Sequence, residues 1–141
     1  MLIKQLSVFL ENKSGRAAEL LSILEKQQVN ISAISIADTS DFGILRMVVS
    51  DYKKALAVLK SNNFSVNLNE VISFYMPNKP GALEKAVRYL ADEEIGIEYM
   101  YSFSTGEKAM AVLGVDAPIR AIEVLQKHKM ELIKADELYN I

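Results

Sequence analysis

Glu11-Asn12-Lys13-Ser14-Gly15 returns sixty-six positions later as Pro77-Asn78-Lys79-Pro80-Gly81, each time between an apolar strand-like run and an amphipathic helix-like run. At the same offset Leu24 meets Leu90, Ile31 meets Ile97, Thr39 meets Thr105, Val49 meets Val115, Ala55 meets Ala121, and Val58-Leu59 meets Val124-Leu125, with no gap. Agreement of this extent marks two copies of one unit. Asn12 with Asn78, Lys13 with Lys79, and Gly15 with Gly81 match in a loop rather than in a core, which makes the loop the first candidate for function.

Outward from that loop, the first copy reads as strand, helix, hairpin, helix, strand. Leu2, Leu6, Val8 and Leu10 alternate against Lys4, Gln5 and Ser7, the period of a strand. From Ser14 the period changes: Ala17, Leu20, Leu21 and Leu24 fall at helical spacing, with Ser14 as the expected N-cap. The β-branched run Val29 to Ile36 predicts a second strand, Asp38 to Asp41 a turn, and Ile44 to Val49 a third strand. Asp51 to Ser61 predicts a second helix stopped by Asn62-Asn63, and Phe64 to Leu68 is extended. The second copy repeats the order: strand Val71 to Met76, helix Gly81 to Glu93, strands Ile97 to Ser104 and Ala109 to Val115, helix Pro118 to His128, strand Met130 to Ala135.

This order predicts an α+β fold of two tandem ferredoxin-like βαββαβ units, each a four-stranded antiparallel sheet with its helices on one face. The expected units are residues 1–68 and 69–141. No Pro or Gly lies between Phe64 and Pro77, so the connection is expected to be short, and nothing in it prevents one continuous strand. Apolar residues occupy both faces of the hairpin strands: Ile97, Tyr99, Tyr101 and Phe103 alternate onto one face with Met100 on the other, and Ala33 neighbours Ile34. That pattern calls for a cover over the open face, and a homo-oligomer, most simply a dimer, is expected.

Composition narrows the class. A formal net charge of −2 and no basic run with interleaved aromatics argue against nucleic acid as a partner. No run approaches the ~20 apolar residues needed to span a bilayer, and Met1 to Leu10 does not read as a signal peptide. With no cysteine, the chain is expected to be soluble and cytoplasmic, without disulfides or thiolate chemistry. A single histidine, His128 in a Lys127-His128-Lys129 run, reads as a solvated helix end, so neither a metal site nor a cofactor is expected.

The loop has a chemistry of its own. Gly15 and Gly81 allow a sharp bend and close approach of a ligand, and the helix start behind each offers unpaired N–H groups and partial positive charge suited to a carboxylate. The side chains of Asn12 and Asn78 both donate and accept, which suits a small zwitterion. The plainer alternative is that Gly and Asn are good turn residues and Pro80 a good first-turn residue. Asp38, Asp41 and Glu107 in the hairpin turns read likewise as turn formers rather than cation ligands.

These residues resemble a family. Glu-Asn-Lys-Ser-Gly followed by an amphipathic helix and Val29-Asn30-Ile31, and Pro-Asn-Lys-Pro-Gly followed by Ile95-Gly96-Ile97, are similar to the ACT domain, the amino-acid-sensing regulatory module of many enzymes of amino-acid metabolism. The resemblance covers essentially the whole chain as two copies. It implies effector binding between ACT units, with loop Asn and Gly from one and the Asn before the second strand from the facing one. The resulting ligand-binding candidates are Asn12, Lys13, Ser14, Gly15 and Asn30 in the first unit, and Asn78, Lys79 and Gly81 in the second. Ser14 replaces the family's usual Pro, and Gly96 stands where Asn30 stands, so a site using Asn30 against a partner loop is favoured over two equivalent ones.

The function so implied is non-catalytic: binding of a small amino acid or related metabolite, with modulation of a separate metabolic enzyme in trans. The alternatives are an interaction module with a degenerate ligand site and, more remotely, an acylphosphatase-like hydrolase using Arg16. The hydrolase reading lacks a nucleophile–base pair, and the counterpart of Arg16 is Ala82.

Overall fold

Alternating apolar residues place β1 at Ile3–Glu11, and the switch to helical spacing places α1 at Arg16–Lys26. The computed structural model describes residues 1–38 and 41–141; Thr39 and Ser40, in the expected Asp38 to Asp41 turn, lie outside the described residues. There follow β2 (Ile31–Asp38), β3 (Phe42–Val49), α2 (Tyr52–Ser61) and β4 (Ser65–Pro77). The second copy continues with α3 (Ala82–Asp92), β5 (Ile97–Thr105), β6 (Lys108–Val115), α4 (Pro118–Lys127), β7 (Glu131–Leu132) and α5 (Ala135–Tyr139).

The chain divides into two compact units whose ends depart from simple tandem order. The N-terminal unit is Lys4–Asn69 with Asp136–Ile141, and the C-terminal unit is Glu70–Ala135 with Met1–Ile3. Hydrogen-bonded strand order is β2-β3-β1-β4-β6-β5, with β7 also on β4. Two four-stranded orders, β2-β3-β1-β4 and β5-β6-β4-β7, therefore share β4, where two separate sheets were expected. The physical reason is local: with no Pro or Gly before Pro77, nothing in Phe64 to Met76 interrupts extended backbone, and β4 runs unbroken for 13 residues.

In the N-terminal unit the core is built from Leu6, Val8 and Leu10 of β1, Leu45 and Met47 of β3, and Leu20, Leu24, Ala55 and Leu59 of the helices. The C-terminal core repeats it with Ile72, Phe74, Ala111, Leu113, Ala86, Leu90, Ala121 and Leu125.

Three local expectations are corrected. Ser14 is not the cap of α1: Gly15 holds that position at φ 91°, and no side chain caps the helix, because the left-handed turn sets the helix start one residue later. A register shift between Ile97 and Tyr99 puts Ile97 on the helix-covered side, so it does not share a face with Tyr99, Tyr101 and Phe103. The expected last strand, Met130 to Ala135, is only the two-residue β7, and α5 follows where no helix was expected.

Candidate functional site

Each unit presents its candidate loop in the same way. Gly15 and Gly81 sit at φ 91° and 87° immediately before α1 and α3, a left-handed conformation in which a side chain is strained. The loop is pinned to the hairpin turn by its asparagine: the Asn12 N–H donates to the Asp41 carbonyl (3.3 Å) and the Asn78 N–H to the Glu107 carbonyl (2.8 Å). The side chain of Asn78 adds a bond from Nδ2 to the Gly106 carbonyl at 2.8 Å, which leaves its Oδ1 as an acceptor. Lys13 Nζ lies 2.9 Å from the Glu11 carboxylate, and that hydrogen bond and charge hold the Glu11 carboxyl below its usual value. Ser14 is exposed beside it.

A cavity of about 290 Å³ opens beside the second loop. Asn78 and Lys79 form its loop wall, Ala82 and Leu83 of α3 its helix wall, and Ser102, Phe103 and Ser104 of edge strand β5 the third side. The volume lies near the lower end of small-molecule sites. The Ser102 hydroxyl donates to the Met110 carbonyl at 2.9 Å and keeps its acceptor capacity. Of this wall, sequence reasoning weighed Phe103 for an aromatic pocket but favoured interface packing, and it did not single out Ser102 or Ser104. Asn78 and Lys79 meet in this cavity, and a neighbouring cavity of about 280 Å³ takes in Gly81 and Pro80.

Asn30 is placed elsewhere. It precedes β2, whose direction matches that of β1, so it stands at the opposite end of the N-terminal sheet from Asn12. Its N–H donates to Ser50 Oγ (2.9 Å), and its Nδ2 donates to the backbone oxygen of Ile141 (3.3 Å). The corresponding Gly96 N–H donates to Asp116 Oδ1 at 3.1 Å. A Cβ at Gly96 would fall 2.8 Å from the other carboxylate oxygen of Asp116, so an asparagine there would have to displace that side chain.

The remaining candidates are structural. His128 caps α4 and stacks on Tyr89 with ring centroids 3.8 Å apart. Among the described residues no group of three or more His, Cys, Asp or Glu side chains is placed to hold a metal, and no helix is long and apolar enough to cross a membrane.

A family model described as an ACT domain pair matches residues 1–141. Protein BT0572 from Bacteroides thetaiotaomicron has a crystal structure that superposes with a TM-score of 0.96 at 47% identity, covering 100% of this chain and 98% of that one. The ligand-free regulatory subunit of aspartate kinase from Thermus thermophilus superposes at 0.68 with 14% identity, covering 89% of this chain and 93% of that one. The corresponding subunit from Thermus flavus gives 0.64 at 14%, covering 90% and 93%. At those identities the likeness to the two kinase subunits is one of fold. Comparison with the curated proteins finds no match.

Proposed function

The chain belongs to the ACT domain family as an ACT domain pair, and from that premise we propose that it is a non-catalytic regulatory protein that binds a small amino acid and modulates a separate metabolic enzyme. The observation that carries this reading is the cavity between the Asn78 loop and β5. A carboxylate there would meet Lys79 and the first-turn N–H groups of α3, and an ammonium group would meet Asn78 Oδ1 and the hydroxyls of Ser102 and Ser104. The kinase regulatory subunits that share the fold support the regulatory part of the reading.

Thermal unfolding against a panel of common amino acids tests it. Ligand at about a hundred times its dissociation constant adds about 2.7 kcal/mol and raises the midpoint by several degrees. A selective rise that disappears in Asn78→Ala is the expected result; no rise with any amino acid contradicts it. One observation favours a second reading, an interaction module with a degenerate site: the Asn30 side chain is engaged by the backbone of Ile141.

A further inference from the structure

Residues 136–141 pack as part of the N-terminal unit, although the chain reaches them from the C-terminal one. The bonds that seat them span 135, 111 and 107 positions. The Lys4 N–H donates to the Tyr139 hydroxyl at 2.7 Å, Asn30 Nδ2 to the Ile141 backbone oxygen at 3.3 Å, and Ser32 Oγ to the Tyr139 carbonyl at 3.4 Å. Leu138 is the anchor, fully buried, and the Tyr139 ring lies 5.8 Å from that of Tyr52. β1, β2 and α2 start at the same end of the unit, so Lys4, Asn30, Ser32 and Tyr52 form one seat.

That seat consists of hydrogen-bond donors around an apolar socket, and it reads Leu138, the Tyr139 hydroxyl and main-chain oxygens. None of these contacts specifies which copy of the chain supplies the segment. The tether also permits a change of donor. Ile133 is buried in the C-terminal unit with its N–H on the Ser73 carbonyl at 2.8 Å, and exposed Lys134 alone separates it from α5. Swinging α5 out about Lys134 leaves the pairing of β7 with β4 intact, since β7 ends at Leu132. One buried side chain, one half-buried ring and a few hydrogen bonds oppose the entropy of the freed segment, so it parts from the unit well before the core opens.

A second copy has more to gain from the seat than the chain's own segment. Edge strand β2 starts in it, and Ile34 and Ile36 along that strand are 43% and 56% exposed. A copy that delivers its segment to Asn30 and Ser32 is held beside this apolar edge, which calls for a cover. We propose that two copies exchange residues 136–141, each seating its Leu138 and Tyr139 in the other's N-terminal unit, to form a two-fold dimer. Exchange keeps the bonds of the seat, and burial at β2 supplies the added stabilisation.

Refolding an equal mixture of isotope-labelled and unlabelled full chains, followed by an isotope-filtered nuclear Overhauser spectrum, tests the exchange. Contacts between Tyr139 protons of one isotope and Tyr52 protons of the other are the expected result. Contacts confined to chains of a single isotope, or a chain that sediments as a monomer, overturn it. Leu138→Asp, which ejects the anchor, should raise the dimer dissociation constant about tenfold or more in sedimentation equilibrium, while the amide shifts of β4 and β6 stay dispersed. A dimer that tolerates Leu138→Asp at unchanged affinity also overturns the exchange and leaves the β2 edge alone to account for pairing. Should that variant unfold, the filtered spectrum of the native chain still decides.

Discussion

At the scale of single residues, glycine geometry carries the loop that the repeat first revealed. Gly81 sits at φ 87° with open space where a Cβ would lie, so an added methyl meets strain in the backbone and no clash. Gly81→Ala should therefore destabilise the chain by about 1–2 kcal/mol, and Gly81→Asn by less, as read from urea denaturation midpoints. Gly114 is required for a different reason: a Cβ there would run into the ring of Tyr99, its partner in the neighbouring strand. Gly114→Ala should cost about 1–3 kcal/mol, and pairing it with Tyr99→Leu should recover part of that loss. The loop residues were legible because they recur at a fixed offset.

Among the elements, α5 is the one the sequence concealed. Ala135 to Tyr139 spans little more than one helical turn, too short for a period to declare itself. Tertiary contacts make it a helix: Leu138 is fully buried, the Lys4 N–H donates to the Tyr139 hydroxyl at 2.7 Å, and the Tyr52 and Tyr139 rings lie 5.8 Å apart. Leu138→Ala should cost about 2–4 kcal/mol in chemical denaturation. Tyr139 also links stability to pH. Burial raises its pKa, with smaller contributions from Tyr52 and Asp136, against the lowering effect of the Lys4 bond. The folded state therefore favours the neutral phenol. Its contribution is fully present below the unfolded value and is lost as pH rises through the higher folded value. Denaturation midpoints should fall with rising pH across that alkaline window in the native chain, and this component should vanish in Tyr139→Phe. The bulge in β5 was hidden for a similar reason, since Ile97, Tyr99, Tyr101 and Phe103 read as unbroken alternation until the register against β6 shifts.

At the scale of the whole molecule, the order βαββαβ was legible twice over because two independent copies had to agree, whereas the sharing of β4 and the exchange of termini depend on contacts that no periodicity encodes. Edge strand β2 carries Ile34 and Ile36 at 43% and 56% exposure, and β5 carries Met100 and Phe103 in a similar state. Exposed apolar edge strands are hazards unless covered. Sedimentation velocity should accordingly show a dimer that Ile36→Lys shifts toward monomer; a monomer at all concentrations in the native chain would count against a covered edge. Regulation by a small amino acid is read most directly from amide chemical shifts of the labelled chain titrated with each common amino acid. Saturable, selective shifts should appear at Asn78 to Leu83 and Ser102 to Ser104. The absence of shifts there with every amino acid would contradict effector binding at that loop.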